Sequence, residues 1–190
     1  MHLHKQLIYV VGASGSGKDS LMKMARKELS CHQHIVFAHR YITRKAGDSN
    51  ENHIELSEPE FLARKAMGLF AMCWESHGNR YGIGIEVNQW LSKGCTVVLN
   101  GSREYLLRAK DRYPELLSVC IDVPHQVLEQ RLVDRQRETA QEIQARLHRN
   151  SVLKRASPVD VTLNNEGTIE EGGKSLSRLI LNHSGVSTCV

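Results

Sequence analysis

The sequence LIYVVGASGSGKDSLMKMARKEL, residues 7–29, decides the fold. Gln6–Val11 is a continuous apolar run, which is typical of a strand buried on both faces. Asp19–Leu29 places its apolar side chains on one face of a helix, and the glycine-rich residues 12–17 separate the two segments. A strand that passes through such a turn into a helix, with Lys18 at the junction, predicts a phosphate-binding loop.

The pattern Gly12-x-x-x-x-Gly17-Lys18 has a physical basis. The glycines allow backbone N–H groups to converge on an anion, and the helix N-terminus adds partial positive charge. Lys18 supplies a mobile point charge for the β- and γ-phosphates. A plain glycine-rich turn is the alternative, but the flanking strand and helix favour a nucleotide site. Its predicted residues are Gly12, Ala13, Ser14, Gly15, Ser16, Gly17, Lys18, Asp19 and Ser20.

Asp19 departs from the usual loop, in which a Ser or Thr after the lysine binds Mg²⁺. Ser20 could supply that hydroxyl, or Asp19 could hold the hard cation directly or through water. Alternatively, Asp19 is only a favourable acid in the first turn of the helix. We expect a metal-linked role for Asp19 or Ser20, because an acid beside a triphosphate would repel it without an intervening cation.

The composition indicates a globular protein with one domain, residues 1–190. The net charge of +4 suits a small anionic ligand as easily as nucleic acid, and the chain contains no long block of like charge. We expect small-molecule substrates and neither a nucleic-acid nor a membrane partner. Five widely spaced cysteines suggest reduced thiols. No apolar run approaches the roughly 20 residues of a membrane span, and no secretory signal is recognisable, so we expect a cytoplasmic protein.

Beyond the loop, strand patterns alternate with helix patterns, which predicts an α/β fold with a parallel sheet. A polar loop is expected at 43–53 and a glycine-punctuated turn at 77–84. The predicted strands are 34–40, 69–74, 95–101, 116–123 and 159–165, and the predicted helices are 57–66, 87–92, 103–112, 126–135, 140–154 and 172–183.

Arginines are placed where phosphoryl transfer would need them, because the reaction brings two anions together. One group lies in a helix–break–helix segment and predicts a lid at about 134–142. A solvated basic helix is the alternative. The lid arginines are Arg131, Arg135, Arg137, Arg146 and Arg149, and the others are Arg40, Arg44, Arg80 and Arg103.

These motifs carry a family resemblance over nearly the whole chain. The segments GASGSGK (12–18), ITR (42–44) and HGNRYGIG (77–84) resemble the guanylate-kinase-like branch of the P-loop kinases. More narrowly, GKDSL (17–21), AHRYITR (38–44) and LNGSR (99–103) are similar to the bacterial ribose 1,5-bisphosphate phosphokinases of phosphonate breakdown. In that family the Asp after the lysine is usual.

The resemblance implies a three-layer nucleoside-monophosphate-kinase fold with a central parallel sheet, an acceptor-binding region at about 40–86 and the lid. It implies transfer of the γ-phosphate of ATP, with Mg²⁺, to the 1-phosphate of ribose 1,5-bisphosphate, giving 5-phospho-α-D-ribose 1-diphosphate. The acceptor is a phosphate that is largely dianionic at pH 7, so no general base is required.

Departures from guanylate kinases favour this acceptor over GMP. Cys73 stands where they carry a Glu that binds guanine, Gly47 lies near the place of a second arginine, and Asn100 replaces a strand-end Asp. A thiol cannot replace a carboxylate that pairs with a base. A guanylate or other nucleoside monophosphate kinase, and a non-catalytic binding module, remain the alternatives.

The resemblance and the chemistry together assign roles. Lys18, Arg135, Arg137 and Arg146 are expected to be catalytic, and Asn164 to meet adenine. The oligomeric state is left open, with a homodimer as one possibility. The residues expected to bind the acceptor are Arg40, Arg44, His53, Tyr81, Asn100 and Arg103.

Overall fold

A central sheet of five parallel strands is the frame of a computed structural model that describes residues 6–45, 52–136, 139–156 and 158–185. The predicted parallel sheet is confirmed. Residues 7–11 of its middle strand have no exposed surface, which explains the continuous apolar run. In spatial order the strands are β2 (Ile35–Phe37), β7 (Thr96–Asn100), β1 (Leu7–Gly12), β8 (Leu117–Asp122) and β9 (Val161–Asn164).

A second, four-stranded sheet lies beside the first, and the sequence patterns did not predict it. β3 and β4 pair in parallel, whereas β3 with β6 and β5 with β6 are antiparallel. Its spatial order is β4 (His53–Glu55), β3 (Arg40–Ile42), β6 (Asn79–Gly84) and β5 (Phe70–Ser76).

Helices cover both faces of the central sheet. α1 and α7 pack on one face through Leu21 and Leu176, and α3 and α4 pack on the other through Val87 and Leu106. None of the helices in the described ranges combines the length and apolarity needed to cross a bilayer. The helices are α1 (Lys18–Glu28), α2 (Glu58–Ala66), α3 (Glu86–Ser92), α4 (Leu106–Arg112), α5 (His125–Asp134), α6 (Ala140–Ala156) and α7 (Ile169–Ser184).

The prediction of one strand over 34–40 is wrong. The chain leaves the central sheet after Phe37, and Arg40 already belongs to the second sheet. The N–H of Ala38 still donates to the carbonyl of Val98 at 2.9 Å, so the two sheets meet at Ala38 and His39.

The prediction of a turn over 77–84 is also wrong for most of its length. Only His77 and Gly78 form the turn, and residues 79–84 are β6. Position 82 of this strand is a glycine because the ring of Phe70 covers it. A Cβ at 82 would lie 2.6 Å from that ring. Within the predicted polar loop, His53 begins β4, and residues 46–51 lie outside the described part of the chain.

Candidate active site

A cavity of about 570 Å³ opens at the carboxyl ends of β1 and β7, between the glycine-rich loop, the second sheet and α6. Ligands of α/β proteins commonly bind at this edge of the sheet. The predicted residues that line it are Gly12, Ala13, Ser14, Gly15, Gly17, Lys18, Asp19, Ser20, Arg40, Arg44, Tyr81, Arg103, Arg135 and Arg146.

The glycine-rich loop takes the conformation that its sequence requires. Gly15 and Gly17 have φ of 96° and 85°, in the left-handed region that favours glycine. A Cβ at Gly17 would also lie 2.5 Å from the amide nitrogen of Asn165. Since Gly17 is the N-cap of α1, the loop presents its backbone amides at a helix N-terminus, where an anion is stabilised.

Asn165 and Arg131, which come much later in the sequence, hydrogen-bond to this loop. The Nδ2 of Asn165 donates to the carbonyl oxygen of Ser16 at 2.7 Å. Arg131 donates to the carbonyl of Asn165 at 2.9 Å and to that of Ser16 at 3.4 Å. Arg131, predicted as a lid arginine, therefore supports the loop. Ser16, a predicted site residue, is fully buried beneath it.

Lys18, Asp19 and Asn100 form one polar network at the base of the cavity. The Nζ of Lys18 lies 2.9 Å from the Oδ1 of Asp19 and also donates to the Oδ1 of Asn100. The Nδ2 of Asn100 donates to the Oδ1 of Asp19 at 2.6 Å. Asn100, a predicted acceptor-binding residue, thus contacts Lys18 and Asp19 and is not among the residues that line the cavity.

The charge of Asp19 is fixed by this network. Burial raises the pKa of Asp19, but the cations of Lys18 and Arg40 and the hydrogen bonds from Lys18 and Asn100 outweigh it. The pKa therefore lies well below its usual range, and the carboxylate is ionised at neutral pH. Asp19 and Ser20 offer hard oxygen ligands, but the described residues hold no group of three His, Cys, Asp or Glu side chains that could bind a metal alone. A cation here would need phosphate oxygens as further ligands.

Helix α6 closes one side of the cavity with two arginines. The Nη1 of Arg146 donates to the Oγ of Ser14 in the loop at 2.8 Å. Arg149 contacts the Nε2 of His77 at 2.9 Å and the carboxylate of Glu104 at 2.8 Å. α5 ends at Asp134 and α6 begins at Ala140, so the predicted break lies where expected, whereas Arg137 falls outside the described residues.

The opposite wall comes from the second sheet and the segment after β7. Arg40 is nearly buried, and its guanidinium lies over the ring of Tyr81. Arg103 donates to Asn150 of α6, and burial lowers its pKa, with Arg149 adding to the effect. Arg44 is exposed at the mouth of the cavity. This wall can therefore bind a second group of anionic oxygens.

The lack of a carboxylate at position 73 does not by itself exclude GMP, because the structure places Cys73 outside the cavity lining. Trp74 and Ser76 are the β5 residues that line the cavity, and Cys73 is not among its lining residues. Successive side chains of a strand point to opposite faces, so the wall at this point is Trp74. The two carboxylates of the lining are both paired, Asp19 with Lys18 and Glu104 with Arg149.

The similarity to known proteins extends over almost the whole chain. The chain is 52% identical over 176 residues to "Ribose 1,5-bisphosphate phosphokinase PhnN" of Desulfomicrobium baculatum, covering 93% of this chain and 94% of that protein. It is 49% identical over 175 residues to the protein of that name from Thiobacillus denitrificans, covering 92% of each. The chain belongs to the ribose 1,5-bisphosphate phosphokinase family. No family model matches it.

A solved structure confirms the fold expected of this phosphokinase. The guanylate kinase from Anaplasma phagocytophilum superposes with a TM-score of 0.70, covering 94% of this chain and 86% of that chain, at 19% sequence identity. At that identity the likeness concerns the fold alone. The guanylate-kinase-like α/β fold is therefore confirmed.

Besides Ser16 and Asn100, two further predicted site residues of the phosphokinase, His53 and Asn164, lie outside the cavity lining. His53 is in β4, and both its ring nitrogens are buried without a hydrogen-bond partner in the described chain. Asn164 is exposed at the end of β9, and the next residue, Asn165, is the one that contacts the loop. That His53 contacts the sugar and that Asn164 contacts adenine both stay predictions.

The cavity also contains residues that the sequence reasoning did not assign to the site. Trp74, His77 and Glu104 line it, and Arg149 was assigned only to the lid. His77 begins the segment HGNRYGIG that carries the family resemblance, whereas Glu104 lies in no motif given above. For Arg149 the signal was its position three residues after Arg146, because that spacing places both on one face of α6.

Proposed function

We propose that the chain transfers the γ-phosphoryl group of ATP to the 1-phosphate of ribose 1,5-bisphosphate, giving 5-phospho-α-D-ribose 1-diphosphate and ADP. One observation carries the proposal: a single cavity joins the glycine-rich loop and Lys18 to a second set of arginines, in a chain about half identical to curated phosphokinases of that name. The cavity thus offers cationic side chains both to a phosphate donor and to a phosphate acceptor.

The loop side of the cavity would bind the nucleotide. Its backbone amides would hold the β-phosphate, while Lys18 would leave Asp19 and Asn100 to contact the transferred phosphoryl group. Arg135 and Arg146 would add positive charge from the lid side. Asp19 and Ser20 would hold Mg²⁺, which supplies charge neutralisation between the phosphates when bound.

The arginine wall would hold the acceptor. An oxygen of the dianionic 1-phosphate would form the new bond to the γ-phosphorus as the bond to the β–γ bridging oxygen breaks and ADP leaves. No proton has to be removed from that oxygen. Arg44, Arg40 and Arg103 would offset the repulsion and align the attacking oxygen, so catalysis would consist of positioning and charge compensation.

The proposed setting is the cytoplasm, with small-molecule substrates. The four cysteines in the described chain, Cys31, Cys73, Cys95 and Cys120, are free thiols, which suits a reducing compartment. A guanylate kinase activity is the second candidate, because the guanylate kinase from Anaplasma phagocytophilum superposes over 94% of this chain.

The decisive experiment compares acceptors. The purified chain is given ATP and Mg²⁺ with either ribose 1,5-bisphosphate or GMP, and ADP release is followed together with the phosphorus NMR spectrum of the product. We expect a diphosphate product from the sugar bisphosphate and a much lower kcat/KM for GMP. Comparable values would overturn the proposal, and the absence of any ATP-dependent thermal shift would indicate a non-catalytic module.

A further inference from the structure

Four flat side chains stack in a row across the second sheet. The guanidinium carbon of Arg40 on β3 lies 5.4 Å from the ring centroid of Tyr81 on β6. The Tyr81 ring is 5.6 Å from that of Trp74 on β5, and their planes differ by 3°. Tyr105, just before α4, continues the row 5.5 Å from Trp74. We call these four residues the stacked row.

The position of Trp74 in the row leaves only its edge for a ligand. Tyr81 covers the side of Trp74 that faces β6. Tyr105 packs against Trp74 from beyond the outer edge of β5, with the two rings stacked. Because Trp74 nevertheless lines the cavity, the part that it presents there is the indole edge. An aromatic edge carries partial positive charge, and this one includes an N–H donor.

The row also presents hydrogen-bond donors that the protein itself does not use. Neither the indole N–H of Trp74 nor the hydroxyl of Tyr81 has a hydrogen-bond partner in the described chain, and neither atom is fully buried. A largely buried Tyr or Trp usually finds such a partner. Arg40, whose surface is only 9% exposed, places a cation at the end of this pair. The lining of the cavity is thus rich in donors at this point.

We propose that the edge of the stacked row binds oxygen atoms of the phosphorylated sugar, with Trp74 as a specificity-determining residue; this rests on the proposed function. The indole N–H, the phenol hydroxyl and the guanidinium suit phosphate oxygens and sugar hydroxyls. A purine would need an open ring face on which to stack. The rings of Tyr81 and Tyr105 already stack with Trp74 and would compete with a purine for its faces. The row therefore admits a sugar phosphate and disfavours a nucleotide.

Two substitutions at Trp74 separate the contribution of its N–H group from that of its ring. Trp74→Phe keeps a ring between the two tyrosines and removes the N–H, so KM for ribose 1,5-bisphosphate should rise about tenfold, with KM for ATP unchanged. Trp74→Ala opens a gap between the tyrosines, and the ratio of kcat/KM for GMP to that for the sugar bisphosphate should rise. Trp90→Phe is the matched control, because Trp90 is the other tryptophan of the chain and packs against the core outside the cavity.

Fluorescence tests the binding without the reaction. In the Trp90→Phe variant Trp74 is the only tryptophan, and ribose 1,5-bisphosphate or ribose 5-phosphate, added without ATP, should change its emission saturably. Unchanged emission together with an unchanged acceptor KM in Trp74→Phe would overturn the inference while leaving the proposed function standing. If the emission changes but the protein does not phosphorylate the sugar bisphosphate, binding of the sugar phosphate by the stacked row would be supported and the proposed function would be refuted.

Discussion

The Nζ of Lys18 lies 2.9 Å from the Oδ1 of Asp19, the residue that follows it in the chain. Asn100 hydrogen-bonds to both, so the ammonium and the carboxylate are held at fixed positions before any phosphate arrives. If Lys18 turned to a phosphate, the carboxylate would lose its nearest cation and keep only the weaker effect of Arg40. It would then be left facing the cavity with a negative charge, which is the condition under which a metal ion would be attracted.

Lys18→Ala should lower kcat at least about a hundredfold, the cost of removing one group that stabilises transferred charge. The melting temperature should change little, because the Asp19 carboxylate that pairs with the ammonium is partly exposed, and ion pairs of this kind contribute only about 1 kcal/mol or less. Lys27→Ala, in the last turn of the same helix and exposed, is the control. A variant that kept its kcat would refute the role of Lys18.

Asp19→Asn should raise the Mg²⁺ concentration at half-maximal rate, because a neutral amide is a poorer ligand for a hard cation. The measurement is a Mg²⁺ titration at saturating ATP. Asn100→Ala serves as the comparison, since it removes the partner shared with Lys18 but keeps the charge of Asp19. If both variants lose rate with unchanged Mg²⁺ midpoints, Asp19 acts only by orienting Lys18.

Arg149→Ala should reduce kcat/KM for the acceptor about tenfold, because it removes the contacts that hold α6 to His77 and Glu104. The magnitude is that of one or two hydrogen bonds that include charged groups. Arg155→Ala, exposed on the same helix, is the control. Equal values for the two variants would contradict the prediction.

The same contact gives a pH dependence. Burial, followed by the charges of Arg149 and Arg146, lowers the pKa of His77, so its ring stays neutral and can accept from Arg149. The contact should be lost as the pH falls through that lowered pKa, below about 6.5. His77→Gln should therefore flatten the acidic limb of the rate profile, and an unaltered limb would exclude His77.

Asp160→Asn should lower the free energy of unfolding at pH 7 by about 1 kcal/mol, a small value because the carboxylate is partly exposed. Asp160 accepts from the N–H of Ser118 at 2.8 Å and from its hydroxyl at 2.6 Å. Burial raises the pKa of Asp160, but these bonds and Lys110 lower it overall.

Because the folded-state pKa of Asp160 lies below the unfolded value, its stabilisation is present above about pH 4 and is lost as the pH falls through the folded pKa. Urea unfolding of both proteins at pH 7 and at pH 3 should therefore show the difference shrinking in acid. Asp111→Asn, an exposed acid on α4, is the control and should show no such change.

The central sheet and the loop were predictable because their signals are local. Residues 7–11 are buried on both faces, so every one is apolar, and a glycine must stand at 17 where φ is positive. The second sheet was missed because its strands are short or half-exposed. β4 has only three residues and carries His53 and Glu55, which by themselves resemble a loop.

The site was predicted where its residues occur in motifs and missed where they meet only in space. Trp74 and Tyr105 are 31 positions apart, and nothing local indicates that one covers the other. The chain passes from the central sheet to the second sheet between Phe37 and Arg40. It does so because β2 pairs with β7 and β3 pairs with β6, and both partner strands are distant in the sequence. Local patterns contain no information of that kind.

Asn165 and Arg131 reach back to Ser16, and helix α7 packs beside α1. The glycine-rich loop is thus held by residues that follow Ser16 by 115 and 149 positions in the sequence. During synthesis the loop leaves the ribosome before these residues do, so the nascent chain carries it without two of its hydrogen-bond partners until Arg131 and Asn165 have been added.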